Sequence, residues 1–405
     1  MISKVITEES IAVGRAERLA AGFEDGRRLL ACIQCGTCTG TCPASTGMDI
    51  TPRQVFRMAQ LGMIDELMES RTLWQCATCA SCKVKCPRGI PLSDLMLELR
   101  REYVRQRGAP EAMGNLARML DERHNLTGDP PDNRLLWSLN MDPVPDGLDR
   151  RKGAQVVYFT GCVAGLFPAV SGIPQSLATL LRAARVDFTT LGGDEWCCGF
   201  PLFGAGVPER AQAAARHNVD EIRRLGPSTM VTSCPSCYHT FVHKYESLIG
   251  ESLGFRVVHS TEFLRELASS GRLPLGTINE VVTYHDPCDL GRKSGIYDAP
   301  RDLINMVPGM EFREMRYARE NAKCCGGGGN LEMNDKSISE SIAEQRVAQA
   351  AETGARILLS ACQQCKRTLQ SAARRARTKI KVVDLTELLV RSVEVGQAES
   401  GVGAP

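Results

Sequence analysis

The chain carries 18 cysteines in 405 residues, and their spacing states what they can do. Near the N-terminus, Cys32-x2-Cys35-x2-Cys38-x3-Cys42-Pro43 recurs as Cys76-x2-Cys79-x2-Cys82-x3-Cys86-Pro87. A C-x2-C-x2-C run sets three thiolates on one tight loop, at three corners of a cubane cluster, while the cysteine ahead of the proline reaches the other cluster. The spacing therefore assigns Cys32, Cys35, Cys38 and Cys86 to one [4Fe-4S] centre, and Cys76, Cys79, Cys82 and Cys42 to a second. Zinc is the competing reading, since two CxxC pairs can close a tetrahedral S4 site. The triple run, present twice and each time followed by proline, weighs against it.

The other ten cysteines form a rarer motif, also repeated. Cys162-x34-Cys197-Cys198-Gly199-x34-Cys234-x2-Cys237 matches Cys288-x35-Cys324-Cys325-Gly326-x35-Cys362-x2-Cys365 within one residue at every interval. Adjacent cysteines do not easily ligate one iron of a cubane, so five thiolates point to an opened or enlarged cluster. Gly199 and Gly326 after each pair let the backbone come close to the metal, which makes them candidate cofactor contacts. The glycine run 326–329 leaves little side-chain cover and predicts an accessible cluster that a substrate could touch. A closed structural metal site is the bland alternative, but such sites usually need only four ligands.

The elements that must position these cysteines repeat with them. In the first copy, residues 155–160 form an apolar run ending at Gly161-Cys162, residues 173–185 have helical spacing, and 186–191 is a short β run before Cys197. Residues 208–225 then read as a helix, 229–232 as a strand ending at Ser233-Cys234, and 256–259 as a strand followed by a helix. The second copy has strand signals at 280–284, 356–359 and 381–383 and a helix at 337–352. Alternating strands and helices predict a small parallel sheet per copy, with the cysteines in loops at the strands' carboxyl ends. The expected architecture is multidomain: an α-helical two-[4Fe-4S] ferredoxin-like domain over 1–110, a Pro- and charge-rich linker over 111–152, α/β lobes over 153–272 and 273–394, and a disordered tail from 395 to 405.

Composition narrows the function classes. Lys+Arg 49 against Asp+Glu 47 leaves a net charge of +2, too small a field to wrap nucleic acid. The opening MISKVITEES has no apolar signal region, so a cytoplasmic location is expected, where structural disulfides are rare. The longest uncharged run, 153–181, is broken by glycines and prolines that a lipid-embedded helix would not satisfy. Membrane association is therefore expected only through a partner. Trp74 and Trp196, close before cluster cysteines, are expected to shield the clusters from water. Lys83, Lys85 and Arg88 read as a charge-balancing or docking patch, or as plain solvated surface.

Taken together, the motifs resemble the heterodisulfide reductase family, in the fused form where a C-subunit-like ferredoxin domain precedes a B-subunit-like domain with two CCG motifs. The segments Cys32-Ile33-Gln34-Cys35-Gly36-Thr37-Cys38 and Leu73-Trp74-Gln75-Cys76 through Cys86-Pro87-Arg88-Gly89 carry the resemblance, which covers the chain from Cys32 to about Val393. It implies that Cys162, Cys197, Cys198, Cys234 and Cys237 hold one noncubane [4Fe-4S] cluster, and Cys288, Cys324, Cys325, Cys362 and Cys365 another. With the two cubanes this makes four clusters, and a disulfide would be cleaved between the noncubane pair. The implied partners are a flavin-containing electron-transfer subunit like the family's A subunit, another redox protein, or a membrane cytochrome. No GxGxxG in a strand-turn-helix context is present, so no flavin is expected in this chain.

One position departs from the family. Members acting on the methanogen heterodisulfide usually carry His directly after the first cysteine of the second motif, as proton donor, and here that residue is Asp289. A carboxyl there needs a burial-raised pKa to act as an acid, with His285 and His239 as backup donors. The alternative function is an electron relay, like the iron-sulfur subunits of glycolate and lactate oxidation or those associated with acyl-CoA reductases.

Overall fold

Short apolar runs bounded by loops build two sheets in the computed structural model, which describes residues 13–400. In the first lobe β1 (Val156–Phe159), β2 (Phe188–Thr190), β3 (Thr229–Thr232) and β4 (Arg256–His259) lie in the order β2-β1-β3-β4, all parallel. In the second, β5 (Val281–His285), β6 (Glu311–Phe312), β7 (Ile357–Ser360) and β8 (Lys381–Asp384) repeat that arrangement as β6-β5-β7-β8. The central strands β1 and β7 are buried along their whole length, because crossover helices cover both faces of a parallel sheet. β1 neighbours β3 and β5 neighbours β7, so loops leaving adjacent carboxyl ends converge. That convergence places the segments carrying Cys162 and Cys234 at one end of the first sheet, and those carrying Cys288 and Cys362 at the same end of the second.

The lobes are not independent bodies. Tyr158, Leu177 and Leu264 of the first share one core cluster with Tyr284, Leu303 and Leu388 of the second. Helix Gly172–Ala183 packs on helix Leu385–Ser400 across the join. Each fully buried leucine there contributes about 1.5–3 kcal/mol.

The N-terminal region is helical around Leu29, Phe56, Leu95 and Leu99. Helix Pro52–Gln60 starts on a capping box, with the Thr51 amide donating to Gln54 Oε1 at 2.9 Å and proline at its first position. Between cysteines, Gly36 and Ala80 take left-handed conformations that open the one-turn helices Thr37–Thr41 and Ser81–Lys85.

Two segments differ from the sequence-based expectation. Within 111–152, expected as a linker, helix Glu111–Arg123 buries Met113, Leu116 and Leu120 in a cluster with Cys162 and Cys197, and the 3-10 stretch Pro131–Asn140 buries Arg134 and Trp137. Proline and charge there cap and shape elements rather than solvate a loop. The tail expected to be disordered continues the last helix to Ser400, with Gly396 pressed against Gly276, and residues 401–405 lie outside the described residues. Among the described residues no helix is long and apolar enough to cross a membrane.

Candidate metal centres and the cleft beside them

Two cavities in the N-terminal region are lined by cysteines in the crossed arrangement. One is bordered by Cys32, Cys35, Cys38 and Cys86, the other by Cys42, Cys76, Cys79 and Cys82. Cys38 lies close enough to Cys42 and Cys82 to act on both electrostatically, so the cavities are neighbours. Cys35 is exposed, with exposed Ile33 and Leu30 beside it.

In the first lobe the sulfurs of Cys162, Cys197, Cys198, Cys237 and Cys234 form a continuous chain of contacts. In the second, Cys324, Cys325, Cys365 and Cys362 do the same, with Cys365 Sγ 3.2 Å from Cys325 Sγ. Cys288 sits beside Cys324 and is the least covered of the ten. The middle cysteine of each chain is the acidic one. Hydrogen bonds from Cys197 and Cys237 bring Cys198 down to about 6, and those from Cys324 and Cys365 lower Cys325 likewise, favouring the thiolate that binds metal.

The ferredoxin-like region meets the second lobe directly. Cys79 and Cys324 share a sulfur-sulfur hydrogen bond. Here the glycine run 326–329 has a different purpose from the one expected. A Cβ on Gly329, at φ +63°, would lie 2.6 Å from the Ala77 carbonyl carbon, and one on Gly327 2.5 Å from Thr368 Oγ1. Gly329 lets the Cys76–Ala77 loop dock, Gly327 and Gly328 stay partly exposed, and Cys324 and Cys325 are buried. Gly199 and Gly326 likewise sit at φ +84° and +86° with their Cα facing protein, against Ala211 and the Ser339 carbonyl. It is the Gly326 amide that reaches the site, donating to Cys324 Sγ at 3.3 Å.

Arginines that looked like surface residues in the sequence line these sites. Arg100, wholly buried, donates to the carbonyls of Leu73, Cys76, Gly204 and Gly329 at 2.7–3.1 Å, tying the N-terminal region to both lobes. Arg134 donates to Cys162 Sγ at 3.3 Å and to Glu195 at 2.8 Å, and Glu195 in turn accepts the Thr160 and Gly161 amides. Arg292 spans the Cys79 and Ala322 carbonyls. Among the described residues Arg100, Arg292 and Arg346 form no salt bridge with a carboxylate; Arg100 acts on Cys76 and Arg292 on Cys79, Cys288 and Cys324, while Arg346 is held by the charge of Asp286 first and of Cys325 after it. A buried cation needs a counter-charge, and for Arg100 and Arg292 thiolates holding iron supply it. The donor sets and their surroundings fit iron-sulfur clusters.

Asp289 stands where the two cysteine sets approach each other. It accepts from Ser236 Oγ at 2.6 Å, reaching it from between Cys234 and Cys237, and pairs with Lys293 Nζ at 2.6 Å. Burial pushes its pKa up, but Lys293, His239 and these hydrogen bonds outweigh it and hold it below the usual carboxylate range. The acid expected at this position is a carboxylate, and Lys293, its ammonium above the Phe200 ring at 5.4 Å, keeps the proton. His239 hydrogen bonds Ser294 at 3.3 Å; burial and Lys293 hold its pKa low. His285 is buried beside Cys325 and Cys365, away from Asp289's partners. Lys293 and Arg292 help to line a cleft together with His239, His243, Lys244 and Lys83, and with the carboxylates Glu24, Asp94 and Glu98.

The expected shield Trp196 is clamped between His124 and His217, ring centroids 3.4 and 3.8 Å away. Trp74 packs edge-on against Tyr103 under Arg100. Lys83, Lys85 and Arg88 are exposed, and Lys83 pairs loosely with Asp94 at 3.8 Å.

Comparison with known proteins agrees with this architecture. Residues 31–91 match a 4Fe-4S dicluster domain, and 156–242 and 282–370 each match a cysteine-rich domain. The chain is 32% identical to the D-subunit of a dihydromethanophenazine:CoB--CoM heterodisulfide reductase of Methanosarcina acetivorans, over 89% of this chain and 93% of that one. It is 30% identical to a probable membrane-anchored ferredoxin of Chromohalobacter salexigens, covering 90% of this chain and 60% of that one. It is also 25% identical to an EtfAB:quinone oxidoreductase of Syntrophomonas wolfei, covering 97% of this chain and 62% of that one. A hypothetical protein from Helicobacter pylori shares the fold at TM-score 0.53 and 10% identity, over 75% of this chain and 58% of that structure. With its dicluster region joined to two cysteine-rich lobes, the chain belongs to the family of heterodisulfide reductase D-subunits and is an iron-sulfur oxidoreductase subunit.

Proposed function

We propose that this subunit reduces an anionic disulfide between its two five-cysteine sites, fed with electrons through its two four-cysteine sites. The observation that carries the reading is the Ser236–Asp289 contact at 2.6 Å, which joins a residue between the last two cysteines of the first motif to the residue after the first cysteine of the second, next to a cleft that Lys293 and Arg292 help to line. Four [4Fe-4S] clusters, two cubane and two noncubane, would supply single electrons there. Cys32, Cys35, Cys38 and Cys86 would hold the entry cluster, Cys42, Cys76, Cys79 and Cys82 the next, and the five-cysteine sets the remaining two.

The chain's own residues do the rest. Lys244 and Lys83, which line the cleft, attract acidic groups of a substrate. Lys293 keeps its positive charge, which would stabilise developing thiolate products, while Asp289 fixes the ammonium in position and is not itself the acid. Exposed Cys35 with its Ile33 and Leu30 collar offers an entry point for a redox partner, a flavin-containing subunit being the expected kind. Association with a membrane would run through such a partner.

The test is anaerobic turnover of reduced, iron-loaded protein with a panel of acidic and neutral disulfides, reading released thiol. Acidic disulfides are expected to react, and Lys293→Met to lose at least tenfold in rate. No thiol from any disulfide, with partner-driven reduction of the clusters intact, refutes the proposal and leaves the electron relay.

A further inference from the structure

The two lobes are copies, so places where they differ chemically are informative. At the end of β1, Phe159 pairs in register with Thr232, two residues before Cys234; at the end of β5, His285 pairs with Ser360, two residues before Cys362. Phe159 and His285 are therefore equivalent. The helix behind each motif shows a matched change: Val219 stands 21 residues past Cys198, and Arg346 stands 21 past Cys325. In the first lobe Phe159 and Val219 pack in an apolar cluster with Cys198, Cys234 and Cys237. In the second, Arg346 Nε donates to His285 Nδ1 at 3.0 Å inside the protein.

That bond fixes the imidazole. A guanidinium N–H can only donate, so Nδ1 is the acceptor and the ring proton of a neutral imidazole resides on Nε2. Nε2 is buried with no hydrogen-bond partner among the described residues. A ring nitrogen of His285 and the sulfurs of Cys325 and Cys365 all lie within 4.8 Å of one another. With Nδ1 taken by Arg346, Nε2 is the ring nitrogen left to serve an acceptor, and the sulfurs of Cys325 and Cys365 are the acceptors beside the ring.

We infer that His285, oriented by Arg346, donates an Nε2–H hydrogen bond to the sulfur of the cluster at the second five-cysteine site, making that site easier to reduce than its apolar twin. Hydrogen bonds to cluster sulfur stabilise the more negative, reduced state. His285 is a positioning residue here, not a proton donor. The inference rests on this site holding an iron-sulfur cluster and is independent of the substrate.

The experiment is an anaerobic redox titration of the full, iron-loaded chain, following each five-cysteine cluster by EPR. Wild type is expected to reduce the second site at the higher potential. Single replacement of His285 would leave the buried Arg346 Nε without its acceptor, so the variant is the double H285F/R346V, which recreates the first lobe's pair. At fixed potential its reduced-to-oxidised ratio at the second site is expected to fall about tenfold, a shift of about 59 mV for one electron, with the first site unmoved. An unchanged second site at full iron content, or equal shifts at both, overturns the inference. Pulsed EPR on wild type with 15N-histidine in heavy water supplies the second readout: an exchangeable, histidine-linked proton coupling is expected at the second cluster only, and its absence there is equally fatal even if the double variant loses iron. Purified wild type without iron would instead remove the cluster assignment itself.

Discussion

Arg100 is the most demanding residue of the molecule, and its replacement has a calculable cost. Four N–H groups hold carbonyls from three places: Leu73 at 2.8 Å and Cys76 at 2.7 Å in the N-terminal region, Gly204 at 3.1 Å in the first lobe and Gly329 at 3.0 Å in the second. Arg100→Met keeps the apolar stem and removes all four. Each carbonyl left without a donor costs about 1–3 kcal/mol, while removing the guanidinium returns its own desolvation cost of several kcal/mol. The net loss is about 3–5 kcal/mol, the range for breaking a buried charged contact. It acts on the seam, not on either lobe's core, so the appropriate measurement is local. Hydrogen exchange of amides in 326–331 should accelerate by roughly 10²- to 10⁴-fold, while amides of β1 and β7 keep their protection. Arg100→Lys, with one ammonium for four carbonyls, should fall between. Exchange in 326–331 within threefold of wild type would show that the seam is held by something other than Arg100.

Three further outcomes follow from named contacts. Cys86→Ser is expected to remove iron from the site of Cys32, Cys35 and Cys38 and to leave that of Cys76, Cys79 and Cys82 filled, although Cys86 belongs to the latter run; EPR and iron analysis decide, and loss from the second site alone contradicts the crossed arrangement. Asp384 is pushed up to about 7 by burial and Glu387, against hydrogen bonds from Thr386. Between pH ~4 and ~7 the unfolded chain has lost this proton and the folded one retains it, so stability falls as pH rises through that window. Asp384→Asn preserves the acceptor for Thr386 and should stabilise by about 2 kcal/mol at pH 8, half the full linkage value, and by almost nothing near pH 4; an equal gain at both pH values would refute this. Gly329→Ala should weaken docking of the Cys76–Ala77 loop, through an added left-handed cost of about 1–2 kcal/mol and a backbone clash, slowing electron transfer to the second lobe in rapid-mixing experiments. Unaltered transfer would count against the contact.

What the sequence discloses depends on how local the physics is. Ligand spacing is nearly a covalent constraint, so Cys42 and Cys86 could be crossed between clusters from spacing alone. Strands such as Val156–Phe159 were readable because a parallel sheet demands apolar runs. Arg100, Arg134 and Arg346 were not, since an arginine on a charged helix or in a proline-rich stretch looks solvated until tertiary packing buries it. The glycine run 326–329 shows a related limit: absence of a side chain invites either solvent or another backbone, and only the neighbour decides that Gly326 and Gly329 meet backbone while Gly327 and Gly328 keep partial exposure. Asp289 illustrates a third limit. Burial alone argued for a protonated carboxyl; the strongest partner that reverses it, Lys293, lies only four residues on, but its help from His239 and Ser236 comes from the other lobe.

The seam around Gly329 also constrains how the molecule can be made. Cys79 touches Cys324, Gly329 leaves no room over Ala77, and Arg100 locks the carbonyl of Cys76. Split into separate chains, the halves would leave the Gly329 carbonyl without its Arg100 donor and Ala77 without its cover, and each unmet buried carbonyl costs about 1–3 kcal/mol. Joined in one chain, they meet this contact without the association entropy that separate subunits would have to overcome.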